Sequence, residues 1–193
     1  MFRSDRYPDP WILTGSTPPA RIETERLVLR RWESADAEHF DVSLRANREH
    51  IGAWIPPVHD EPTDLDGIAR RLERFRDEFD SGVSFVYAVF DSAETEVLGE
   101  AGLMPRLGPG ALEIGYWVHV AHVGRGLATE ATRALTIAGL SLPEVGRIEI
   151  HCDPANAPSA AVPRKLGYRP STHSGPGDTL VFGLDSLEDL FAG

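Results

Sequence analysis

A chain of 193 residues and 21.2 kDa fits one domain and can bury a core without disulfide or metal staples. With 41% hydrophobic and 25% charged residues the composition is that of an ordinary globule, and the lone cysteine, Cys152, excludes a disulfide framework or a zinc site built from several thiolates. The 30 acidic against 19 basic residues give a formal net charge of −11, which argues against non-specific nucleic-acid binding and against a surface seeking anionic lipid. The same charge serves solubility and would steer cationic ligands inward.

No stretch approaches the ~18 consecutive apolar residues of a membrane span. The first 20 residues carry early prolines and no apolar h-region, so a cytoplasmic location is expected. Pro8, Pro10, Pro18 and Pro19 make residues 1–20 an irregular arm, which Trp11, Ile12 and Leu13 can pin to the body. Residues 21–193 then read as a single domain.

Alternation from Arg21 through Ile22, Leu27 and Leu29 predicts a first strand. Ser34, with Asp36 and Glu38 in the following turn, opens a helix running to about His50 and broken before Pro56 and Pro57. A second helix is capped by Thr63, carries Ile68, Leu72, Phe75 and Phe79 at helical spacing, and stops at Ser81 and Gly82. Two apolar runs, 85–90 and 97–103, form a hairpin. A strand over 111–120, a helix over 127–140, a strand over 146–152, a short helix over 156–166 and a strand over 179–184 complete the order. Such an order gives an α/β (α+β) domain around a mixed sheet.

The stretch that carries chemistry is Val118-His119-Val120-Ala121-His122-Val123-Gly124-Arg125-Gly126-Leu127-Ala128-Thr129. A strand ends in a glycine turn that feeds an amphipathic helix, so free N–H groups and a positive helix end can hold an anion, typically a pyrophosphate. A structural helix start is an equally good reading of these residues alone. Nucleotide folds fit badly. Walker A needs a Gly-Lys-Ser/Thr ending, and the only lysine is the distant Lys165; the dinucleotide fingerprint needs a third glycine where Thr129 stands.

Together with Glu113-Ile114-Gly115-Tyr116-Trp117, this stretch resembles the acetyl-CoA motif of the GNAT acetyltransferases, and more narrowly their RimJ/RimL-like branch. Thr24-Glu25-Arg26-Leu27-Val28-Leu29-Arg30, Asp153-Pro154-Ala155-Asn156-Ala157-Pro158-Ser159 and Arg164-Lys165-Leu166-Gly167-Tyr168 are similar to that branch as well. The resemblance implies a GNAT fold with about seven mostly antiparallel strands and about four helices, the fourth and fifth strands splaying apart around acetyl-CoA as co-substrate.

By the same resemblance, the backbone of Val123, Gly124, Arg125, Gly126, Leu127, Ala128 and Thr129 holds the pyrophosphate. The strand edge near Val118 and Val120 pairs with the pantetheine arm, and Asn156 and Ser159 face its far side. Val123 departs from the Gln or Arg usual at its position, a change that main-chain binding tolerates.

Glu113 is the implied general base, or else an ordinary strand-end glutamate. The family tyrosine that often serves as acid is replaced by Pro163, which leaves Ser159 as the donor to the departing sulfur, or as a helix-surface serine. His119, His122 and His151 are alternative proton carriers or surface and packing histidines. Trp54 and Trp117 are candidates for the acceptor pocket, Trp54 being equally suited to the core, and Glu100 is a carboxylate to hold a cationic acceptor. Tyr168 reads as packing and Cys152 as buried strand filler.

The expected function is acetyl transfer from acetyl-CoA to a primary amine by direct attack in a ternary complex. The acceptor is a cationic small molecule or a peptide N-terminus, without nucleic acid, membrane or metal, in a monomer or homodimer. The competing function is a CoA-binding module without turnover.

Overall fold

Three consecutive buried residues, Leu27, Val28 and Leu29, set the plan of the molecule, because neighbouring side chains of a strand leave by opposite faces. Leu27 and Leu29 pack with Tyr87, Leu103, Leu112 and Leu135 on one side, while Val28 packs with Trp32, Phe40, Leu72 and Phe90 on the other. The sheet therefore carries helices on both faces.

The computed structural model describes residues 11–13, 15–171 and 179–191. Within them the strands are β1 Arg21–Glu23, β2 Leu27–Arg31, β3 Phe85–Asp91, β4 Val97–Met104, β5 Ala111–Val118, β6 Arg147–Cys152, β7 Arg169–Pro170 and β8 Leu180–Leu184. The helices are α1 Ala37–Gly52, α2 Leu65–Asp80, α3 Leu127–Leu140, α4 Ala157–Lys165 and α5 Leu187–Phe191, with 3-10 turns at Ser34–Asp36, Pro56–Asp60 and Val120–His122. Residues of α1 and α2 cover the Val28 face, and residues of α3, α4 and α5 cover the other.

The strands lie in the order β1-β2-β3-β4-β5-β6-β8-β7, and among these pairs only β5 with β6 is parallel. The expected mixed, mostly antiparallel sheet is thus present, with eight strands and five α-helices among the described residues. The first predicted strand is two strands. The Thr24 N–H donates to the Leu27 carbonyl at 2.9 Å and the Thr24 hydroxyl accepts from Leu27 N–H at 3.0 Å, closing a tight turn that folds β1 back on β2. β7 and α5 are too short to leave a periodic signal and are absent from the sequence reading.

Two boundaries also move. Asp64, in extended backbone, caps α2 by accepting from Gly67 N–H at 2.7 Å, whereas the Thr63 carbonyl is taken by Arg45 at 2.9 Å. β5 stops at Val118, two residues early, because His119 Nδ1 accepts from Ala121 N–H and Val120 N–H donates to Asn47 Oδ1. Those two bonds curl the chain into a 3-10 turn.

Residues 1–10 and 14 of the predicted arm lie outside the described residues. Nearer the body, Trp11 N–H donates to the Pro105 carbonyl at 2.8 Å and Leu13 N–H to that of Gly82 at 3.3 Å. Leu13 is buried and Ile12 is exposed, so Trp11 and Leu13 do the pinning.

Candidate active site

An opening in the sheet organises everything that follows. β5 and β6 pair at Ala111 with Arg147, Leu112 with Ile148 and Glu113 with Glu149, and there the pairing ends. β5 continues beside β4 to Val118, while β6 continues beside β8, Ile150 against Phe182 and Cys152 against Leu180. These are the fourth and fifth strands of the sequence reading, and they splay as expected.

The register fixes what β5 offers to the opening. Val118 faces Gly99, and the next N–H, that of His119, donates to the Leu98 carbonyl at 2.8 Å. In an antiparallel ladder this directs the N–H and C=O of Val118 away from β4, toward the opening, and alternation does the same for Tyr116. An extended, amide-rich ligand can pair there as an added strand. Val120 cannot join it through its N–H, which Asn47 holds at 2.6 Å.

Beyond β5 the chain turns through Val123 to Gly126 into α3. Gly124 and Gly126 have φ of 77° and 79°, left-handed values that disfavour any side chain. No described atom lies within 4 Å of where a Cβ on Gly124 would stand, so the backbone there is open to a ligand. The first helical bond runs from Glu130 N–H to the Gly126 carbonyl, which leaves the N–H groups of Leu127, Ala128 and Thr129 ahead of it.

An acidic residue in that first turn would oppose an anion, and Glu130 is neutralised. It accepts from the Thr24 hydroxyl at 2.6 Å and from Arg26 Nε at 2.7 Å, and Arg26 Nη1 also donates to the Arg125 carbonyl at 3.0 Å. Burial pushes the Glu130 carboxyl up, but these hydrogen bonds outweigh it and hold the group below its ordinary range. Start of β2, turn and helix are thereby tied together.

The far wall of the opening is the start of α4. Its cap is Asn156, whose Oδ1 accepts from Ser159 N–H at 3.1 Å. The Tyr116 hydroxyl crosses from β5 to donate to the Ser159 carbonyl at 3.0 Å and stands 3.3 Å from Ser159 Oγ. Burial pushes the Tyr116 phenol well up, so it stays protonated, and burial likewise raises the Cys152 thiol. Tyr168 is buried with its hydroxyl 2.6 Å from that of Thr136.

On the α1/α2 face the side chains of Glu113, Gly115 and Trp117 lie beside those of the β4 residues opposite, Met104, Gly102 and Glu100. Glu113 is buried, and both its oxygens accept from Arg106, at 2.8 and 2.5 Å. Its cross-strand neighbour Glu149 meets His151 Nε2 at 2.7 Å and Arg147 at 2.9 Å. The foot of the opening is therefore a buried ion network.

Glu100 has a different setting. It is half-buried, accepts from Trp32 Nε1 at 3.1 Å, and has the Trp117 indole as a second hydrogen-bonding neighbour. Desolvation pushes its carboxyl up to about 7, with the Arg71 charge opposing and the Glu61 charge adding to the rise. Trp54, by contrast, is 43% exposed on the connection between α1 and α2 and so is not core.

The other two candidate histidines are engaged: His119 Nδ1 with Ala121 N–H, and His122 Nε2 with Glu96 at 2.9 Å. Trp32, Asn47, Arg26 and Tyr116 have no assigned role in the sequence reading. Their contacts here span long stretches of chain, which no local pattern reveals. A separate cleft at the β1–β2 edge, lined by Arg21, Arg30, Arg31, Glu33 and Asp36, has each guanidinium already paired with carboxylates. It offers an anion little. Among the described residues there is no cluster suited to a metal and no helix long and apolar enough to cross a membrane.

A mixed sheet open between two parallel strands, with a glycine turn and helix start at the mouth, is the architecture that the resemblance to the GNAT acetyltransferases implies. The family model for the acetyltransferase (GNAT) domain matches residues 26–169, and the chain belongs to that family. It is 26% identical over 156 residues to the [ribosomal protein uS5]-alanine N-acetyltransferase of Escherichia coli, covering 80% of each chain. Its fold matches Mycobacterium smegmatis RimJ in complex with CoA-disulfide, with TM-score 0.71, 22% identity and coverage of 84% of this chain and 83% of that one. It also matches RimL, a ribosomal L7/L12 alpha-N-protein acetyltransferase in complex with coenzyme A, with TM-score 0.73, 17% identity and coverage of 88% and 98%. The protein is an acetyl-CoA-dependent N-acetyltransferase, and the open β5 edge and glycine turn fit that co-substrate.

Proposed function

We propose that the chain acetylates the N-terminal amine of a protein or peptide by direct attack on acetyl-CoA in a ternary complex. One observation carries the reading. Val118 and Trp117 are adjacent residues, the first presenting its main chain to the opening and the second its indole to the Glu100 carboxylate. Donor and cationic acceptor would thus meet at one strand end. The relative whose name specifies the alanine of ribosomal protein uS5 favours a protein acceptor over a small amine.

In this proposal the N–H groups of Gly124 through Thr129 bind the pyrophosphate and the Tyr116–Val118 edge pairs with the pantetheine amides. Ser159 donates to the departing sulfur, with its carbonyl held by the Tyr116 hydroxyl. Glu113, held by Arg106, fixes the foot of the opening. Residues 21–193 act as one domain.

Thiol release from acetyl-CoA, measured with short peptides, polyamines, aminoglycosides and free amino acids, tests this reading. Release confined to peptides with a free N-terminus is expected, with Ser159→Ala lowering kcat and leaving CoA affinity intact. Release only with polyamines or aminoglycosides would replace the acceptor, and CoA binding with no release for any amine would favour the non-catalytic module.

A further inference from the structure

Among the described candidate bases near the mouth of the opening, Glu100 differs from the others in its partners. Glu113 has both oxygens on Arg106. His119 accepts an N–H at Nδ1, the nitrogen that would otherwise take a proton, and His122 and His151 sit against Glu96 and Glu149. Glu100 accepts from the Trp32 indole N–H at 3.1 Å and has Trp117 as its cross-strand neighbour, groups that orient a carboxylate without neutralising it.

Beside Glu100 the sheet is covered by one movable side chain, Met104, whose sulfur would lie 3.2 Å from a Cβ on Gly102. Gly102 and Gly115 face each other across β4 and β5 on this side of the sheet, two residues along each strand from Glu100 and Trp117. Where a Cβ on Gly115 would stand, the only described atom within 4 Å is Met104 Cε, at 3.0 Å. An unbranched, movable thioether thus covers a floor that carries no side chain of its own. Aromatic faces and a carboxylate around such a floor suit an alkylammonium group.

Resting on the acetyltransferase reading above, we infer that Glu100 is the catalytic base that takes the proton from the acceptor's ammonium group, with Trp32 and Trp117 as the residues that position it. The step balances. R–NH3+ gives one proton to the Glu100 carboxylate, and the freed lone pair forms the C–N bond as the C–S bond breaks. The departing sulfur takes its proton from Ser159, the attacking nitrogen's second proton restores the Ser159 hydroxyl, and Glu100 releases its own proton to solvent on turnover. The charged groups acting on Glu100 are Arg71 of α2 and Glu61 at the end of the 3-10 turn Pro56–Asp60; they form a buried ion pair with each other, so their opposed charges largely cancel at Glu100. Burial is then free to place the carboxyl at about 7, where a base both loses and gains a proton readily.

Two measurements decide this. Carbon-13 NMR of glutamate carboxyls across pH 4–9 should show one resonance with a midpoint near 7 that disappears in Glu100→Gln. A Glu100 resonance titrating in the ordinary carboxylate range overturns the inference, and this readout needs no acceptor. On the peptide with the highest turnover, Glu100→Gln should lower kcat/KM about 100-fold or more and abolish the acidic limb of its pH profile, with CoA affinity by calorimetry unchanged. Glu100→Asp should keep that limb at reduced rate. An unaltered pH profile in Glu100→Gln removes Glu100 from the chemistry, whereas loss of CoA binding in the wild type would strike the acetyltransferase reading itself.

Discussion

The two sides of the opening are built from different materials. The side proposed for the acetyl donor uses the main chain: two left-handed glycines, the first turn of α3 and the outward edge of β5. The side proposed for the acceptor uses side chains from β4, β5, α2 and the end of β2, gathered around Glu100. A main-chain site needs only the right backbone path and tolerates changes such as Val123. A side-chain site depends on each contributor being in register, so it is where small substitutions alter chemistry most.

That contrast is sharpest in Glu100→Gln, for which a loss of about 100-fold in kcat/KM at unchanged CoA affinity is expected. Gly126→Val should do the converse. A branched residue at φ of 79° costs about 1–3 kcal/mol, which weakens CoA binding by about 5- to 150-fold on calorimetry if the turn moves to relieve it. Equal effects of both variants on both quantities would break the division between the two sides.

Arg26→Ala probes the donor side more gently. It leaves the Glu130 carboxylate uncompensated in the first turn of α3, and a CoA dissociation constant raised about threefold is expected, most at low salt. No change at low ionic strength would show that the pyrophosphate does not approach α3.

Glu100 also makes a stability prediction with a definite sign. Folding raises its carboxyl from 4.5 to about 7, so the folded chain holds that proton more tightly than the unfolded chain does. The stability it contributes is complete below 4.5 and lost as pH rises through 7. Glu100→Gln should therefore raise Tm at pH 8 and gain little at pH 4. The smallest effect is expected of Trp54→Ala, which removes an exposed ring and should leave Tm and CoA affinity unchanged while any change falls on the acceptor's KM.

The same division explains what could be read from the sequence. The glycine turn and α3 are contiguous, and the runs 111–120 and 146–152 contain β5 and β6, so these elements were legible in the local sequence. That the Val120 N–H is taken by Asn47, 73 residues earlier, no local pattern shows. The setting of Glu113 was hidden for a similar reason, since alternation places it on a face but does not reveal Arg106. Trp32 lies 68 residues from Glu100, and no spacing rule joins them. Asp64 took the cap expected of Thr63 because the extended backbone falls at residue 64, a one-residue choice that local pattern leaves open.

The most direct test of the main-chain account is an amide NMR titration with CoA. The largest shifts should fall on Tyr116 through Val118 and on Gly124 through Thr129, with the arginine-lined β1–β2 edge silent. Shifts centred instead on Arg21, Arg30 and Arg31, or no shifts at all, would contradict it.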